Sequence, residues 1–84
     1  MNTSELTSLV SRMLISVAPD IEGEAIDPAR RFSDQFEFDS MDFLNFVTAL
    51  HRETGLDLPE KDYPRLVSLD KAVAYLAEQF AGTR

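Results

Sequence analysis

Ser40 stands between Asp39 and Asp42, eleven residues before His51, the only histidine in this 84-residue chain. A serine becomes a nucleophile when a base lies within hydrogen-bond reach of its hydroxyl, roughly 3 Å. If residues 40–51 share one helix, His51 returns to the face of Ser40 but lies about 16 Å further along the axis. His51 cannot activate Ser40, no other histidine exists, and the chain reads as a non-enzyme with no catalytic residues. Metal chemistry fails a similar test. Asp34, Glu37, Asp39 and Asp42 are dense, but they lack the alternating spacing and central glycine of a calcium loop. They read as a solvated acidic patch at a helix start, and no metal is expected. Cysteine is absent, so disulfides and Cys-based metal sites are excluded, and any thiol must arrive on an imported group.

Ser40 then reads as the N-cap of a helix running from about Ser40 to Thr54, with Gly55 at its C-terminal stop. A phosphoryl group on that hydroxyl would meet the positive end of the helix dipole, which points to covalent modification rather than catalysis. At 100° per residue this helix has two apolar sets. Phe43, Phe46, Val47 and Leu50 share the core arc, whereas Met41, Leu44 and Thr48 lie on an adjoining arc near Ser40. Such a helix is either deeply buried or binds something.

The other elements form its frame. Asn2 caps a first helix with Glu5 in the capping-box position, and Leu6, Leu9, Val10, Met13, Leu14 and Val17 make its apolar stripe until Pro19 stops it. Residues 19–38 form a long connection whose Ile21, Ile26, Phe32, Phe36 and Phe38 are expected to tuck onto the bundle, giving an ordered loop. Leu58 to Tyr63 make one short helical turn that Pro64 should end. Ser68 caps a last helix with Leu69, Ala72, Val73, Leu76 and Phe80 inward, ending near Gly82. Tyr63 and Tyr75 read as rim residues. The sum is one all-α domain over residues 1–84: a small four-helix bundle of three longer helices and one short one, with a long first loop.

Fifteen acidic residues against eight basic ones give a net charge of -7. Nucleic acid is a poor partner for such a chain, and Arg30-Arg31 is too short a patch to change that. Basic docking patches on proteins are good partners. No apolar run reaches transmembrane length and the polar start is not a signal peptide, so a cytoplasmic monomer without membrane insertion is expected.

Asp39-Ser40-Met41 at the head of a two-faced helix, in a small acidic bundle with a long first loop, resembles the acyl carrier proteins, whose signature is Asp-Ser-Leu. The Gly55 turn, Leu58-Pro59-Glu60 and Ser68-Leu69 follow in family order, so the resemblance covers nearly the whole chain. It implies that Ser40 accepts 4′-phosphopantetheine from coenzyme A through a phosphopantetheinyl transferase, and that acyl groups ride the arm as thioesters. The partners it implies are acyl-transferring and acyl-modifying enzymes of fatty acid, polyketide or related biosynthesis. By the same resemblance Asp39 positions the segment for the transferase, and Met41 and Leu44, with Thr48 more weakly, match the family's docking strip.

Three departures from the family pattern stand out. Glu37 replaces the usual glycine before the serine, and Met41 replaces leucine with a softer contact of similar volume. The helix after the serine carries Asn45, His51 and Arg52 among few acids, leaving Asp42 and Glu53, so docking should lean on apolar contact. An atypical, freestanding carrier with its own partners is therefore expected, with His51 making docking pH-sensitive. The alternatives are a peptidyl or aminoacyl carrier, which usually shows glycines where Glu37-Phe38 stand, and a non-carrier helical protein-interaction module.

Overall fold

Asn2 opens the first helix as expected. Its side chain accepts from the Glu5 amide at 2.8 Å, while the Glu5 carboxylate accepts from the Asn2 amide at 3.0 Å. In a computed structural model that describes residues 2–82, this capping box starts α1 (Thr3–Val17), and Pro19 closes it through a 3-10 turn over Pro19–Ile21. The remaining helices are α2 (Phe32–Gln35), α3 (Ser40–Thr54) and α4 (Leu69–Gly82), with a 3-10 segment over Glu60–Leu66. No strand occurs among the described residues. The fold is an all-helical bundle.

α1 packs against both α3 and α4, and the second 3-10 segment packs on α4. Leu6, Val10 and Leu14 of α1 meet Phe46 and Leu50 of α3 and Leu76 of α4 in a core from which all six side chains are fully excluded from solvent. Every one of these positions was on an apolar arc of the sequence. Burial on this scale, about 25 cal/mol per Å² of apolar surface, is what holds so small a domain together.

The connection over residues 19–38 is ordered, and its apolar residues do tuck in. Ile21, Phe32 and Phe38 are buried, and Ile26 and Phe36 pack partly against the core. It also contains α2, a helical turn with no cap that propensity alone does not announce. Two backbone bonds tie the connection to the start of α4: the Phe32 amide donates to Val67 O at 2.9 Å, and the Asp70 amide donates to Pro28 O at 3.0 Å. Gln35 clips the loop to itself. Its Oε1 accepts from the Asp27 amide at 2.8 Å, and its Nε2 donates to the carbonyls of Asp27 and Arg30.

Two local expectations are corrected. Pro64 does not end the short turn but lies inside the 3-10 segment, which continues to Leu66. Tyr75 is not a rim residue: it is 1% exposed and faces inward with Ala72 and Leu76. Its ring lies beneath the Arg65 guanidinium at 4.8 Å, and Arg65 in turn pairs with Glu78. Ser68 caps α4 as expected, accepting from the Lys71 amide at 3.3 Å.

Candidate functional site

The segment that delivers the chain to α3 is extended rather than turned. Phe36 lies at φ -135°, ψ 163° and Asp39 at φ -89°, ψ -176°. Among the described residues no position other than glycine has positive φ. This backbone makes no demand for glycine, and Glu37 fits without strain.

Asp39, not Ser40, is the N-cap. Asp39 Oδ1 accepts from the Asp42 amide at 2.9 Å, and Asp42 Oδ2 accepts from the Asp39 amide at 3.1 Å, a reciprocal capping box. The reason is spacing. Asp39 has an acid three residues on, at the position where a side chain can reach back; the residue three after Ser40 is Phe43. Ser40 becomes the first helical residue, exposed, with its hydroxyl in no hydrogen bond among the described residues. The cap occupies the Asp42 amide, and the Phe43 amide donates to Asp39 O at 3.0 Å. Among the described residues the Ser40 and Met41 amides have no acceptor, at the positive end of a 15-residue helix.

An anionic group joined to Ser40 Oγ therefore fits. The hydroxyl is accessible, two backbone donors adjoin it, and both neighbouring carboxylates are engaged in the cap. Beside it opens a cleft of about 240 Å³ lined by Phe32, Ser33, Phe38, Asp39, Ser40, Phe43 and Val67. The sequence assigned Phe32 and Phe38 to the long connection and Phe43 to the core arc and did not single out Val67; the clustering of aromatics over residues 32–46 was the available signal. Phe32, Phe38 and Phe46 meet edge to face beneath it, with ring centroids 5.4–6.4 Å apart.

The outer face of α3 divides as the sequence arcs did. Phe46, Val47 and Leu50 are buried and Phe43 is half-buried, while Met41 is 63% and Leu44 44% exposed, the two large hydrophobics left in solvent among the described residues. Thr48 is exposed beyond them and bonds back to Leu44 O at 2.9 Å. Asp42 is half-buried in the cap. His51 is exposed near the other end of the same helix, its Nδ1 2.7 Å from Leu56 O. Ser40 and His51 are thus held apart on one continuous helix, and among the described residues no cluster of His, Asp or Glu could hold a metal ion.

Comparison with known proteins agrees with this geometry. The family model described as "Phosphopantetheine attachment site" matches residues 8–76, a span that includes Ser40. An acyl carrier protein of Thermosynechococcus vestitus is 22% identical over 81 residues, covering 96% of this chain and 99% of that protein. The mitochondrial acyl carrier protein of Neurospora crassa is 28% identical over 75 residues, covering 89% of this chain and 56% of its own length. Mitochondrial acyl carrier protein 2 of Arabidopsis thaliana is 28% identical over 57 residues, covering 68% and 45%. The chain spans about half the length of these two mitochondrial relatives. No solved structure matches it significantly.

Proposed function

Because the chain belongs to the phosphopantetheine-attachment family, we propose that Ser40 is the residue that bears 4′-phosphopantetheine and that the protein carries acyl groups on this arm to partner enzymes. The observation that supports the assignment most directly is Ser40 itself: an exposed, unbonded hydroxyl on the first residue of α3, with two free amides beside it. The chain is a carrier and not an enzyme. In the loading step Ser40 Oγ forms a bond to the phosphorus next to the pantetheine of coenzyme A, and the pyrophosphate P–O bond breaks to release adenosine 3′,5′-bisphosphate. The hydroxyl proton goes to a base of the transferase, since the Asp39 and Asp42 carboxylates beside Ser40 are engaged in the cap. Once attached, the group supplies a flexible terminal thiol that holds an acyl cargo.

Asp39 and Asp42 fix the first turn of α3 and so present Ser40 to the transferase. Met41 and Leu44, continued by Thr48, form the apolar docking strip, with His51 at its far end. Acyl cargo is favoured over peptidyl cargo by Glu37-Phe38 standing where glycines are usual in peptidyl carriers, and by the names of the relatives. The acid-poor α3 favours a specialised partner set in fatty acid, polyketide or related biosynthesis.

Intact mass after incubation with coenzyme A and a broad-specificity phosphopantetheinyl transferase tests the reading. A gain of one phosphopantetheine that Ser40→Ala abolishes is expected. No gain would leave a helical interaction module, and a gain that survives Ser40→Ala would move the site elsewhere.

A further inference from the structure

Phe43 and Tyr63 join α3 to the second 3-10 segment through an edge-on ring contact, centroids 5.5 Å apart at 74°. Each ring also lines a different cleft. Phe43 lines the cleft of about 240 Å³ that opens at Ser40. Tyr63 lines a second one, of about 290 Å³, with Val47, Thr48, His51, Asp57 and Leu58. Phe43 and Val47 are four residues apart and so share one face of α3. The two clefts therefore follow each other along that face, and the Phe43–Tyr63 pair stands between them.

We propose that this pair is a stop that limits sheltered cargo to short acyl groups of roughly eight carbons or fewer. The proposal rests on attachment of the arm at Ser40. A cargo on the terminal thiol of the arm enters the first cleft when the flexible arm folds back on the protein, because Ser40, where the arm is anchored, is itself part of the wall. It cannot go deeper, since Phe32, Phe38 and Phe46 close the floor edge to face and Phe32 and Phe46 are almost completely buried. A close-packed interior admits no chain without displacing its side chains. It cannot go further along α3, since Phe43 and Tyr63 meet. The cleft volume then sets the scale: an apolar cavity of about 150 Å³ takes up a benzene molecule. The first cleft is somewhat larger and open on one side, whereas both clefts joined would take a chain about twice as long.

The test loads Ser40 enzymatically with butyryl, octanoyl, dodecanoyl or hexadecanoyl pantetheine from the matching acyl-coenzyme A, each product verified by intact mass. Two quantities are read: the melting temperature relative to the bare-arm form, and the rate of thioester cleavage by hydroxylamine. In the native protein both are expected to improve from butyryl to octanoyl and then stay level. Each newly buried methylene slows cleavage by up to about fourfold. In Phe43→Leu and Phe43→Ala, each compared with its own bare-arm form, the plateau should move to dodecanoyl or beyond. Gains that continue to hexadecanoyl in the native protein, a bare arm that already gives the full gain, or variants whose plateau stays at octanoyl would each overturn the proposal. If a variant fails to fold, the native series decides alone. Failure of the mass gain overturns the attachment reading and this inference with it, whereas a normal mass gain without the plateau overturns this inference only.

Discussion

The phenol of Tyr75 donates a 2.7 Å hydrogen bond to Asp62 Oδ2, tying α4 to the 3-10 segment that faces α3. Burial first, and then this bond and the Asp62 charge, push the phenol up to about 12. In the unfolded chain a tyrosine ionises near pH 10. Between these values the unfolded state has lost the proton and the folded state keeps it, so stability falls as pH rises. The contribution is complete below about pH 10 and lost by about pH 12. Chemical denaturation across this window should show a steeper decline for the native protein than for Tyr75→Phe. Equal slopes would mean that burial and Asp62 together do not hold the proton on the phenol.

The reciprocal cap of Asp39 and Asp42 makes a separate prediction about α3. Asp39→Ala removes the oxygen that satisfies the Asp42 amide and should cost about 1 kcal/mol in urea denaturation. Asp39→Asn keeps an acceptor in the same place and should retain most of the stability. If positioning of Ser40 depends on the cap, transferase kcat/KM should fall for Ala and largely recover for Asn. A variant pair with equal losses would place the role of Asp39 in its charge instead.

The same pair shows what was legible in the sequence. Helix existence, the capping box at Asn2 and Glu5, the Gly55 stop and the inward arc of α3 followed from spacing alone, because each is a local pattern of few residues. The choice between Asp39 and Ser40 as cap was equally local, yet it turned on which residue had an acid three positions later. The cleft was not legible. Phe32, Phe38, Phe43 and Val67 come together only because the Phe32 amide reaches Val67 O and the Asp70 amide reaches Pro28 O. Such cross-chain bonds leave no periodic trace. Tyr75 was misread for a related reason: its partners Asp62 and Arg65 lie on another element.

His51 has a defined tautomer. A carbonyl only accepts, so the 2.7 Å contact of Nδ1 with Leu56 O requires the proton on Nδ1. Nitrogen NMR of the neutral ring should show Nδ1 protonated and Nε2 bare. A ring protonated on Nε2 and bare on Nδ1 would mean that the Leu56 carbonyl is not its partner.

Docking on α3 should be governed by Met41 and Leu44 more than by charge. Both side chains are exposed, so Met41→Ser and Leu44→Ser should change stability by less than about 0.5 kcal/mol. Much of the Met41 side chain and part of Leu44 face solvent in the free protein, and on docking each would be removed from water. Burying such a side chain contributes about 1.5–3 kcal/mol when complete, so each substitution in a partly covered strip should raise the transferase KM roughly tenfold. The turnover number should hardly move, because Ser40 and its cap are untouched. Between Asp42 and Glu53, α3 carries Asn45 and Arg52 rather than further acids, so KM should respond weakly to ionic strength. A steep salt dependence, with little effect of Met41→Ser or Leu44→Ser, would instead place recognition on the acidic loop residues that precede Ser40.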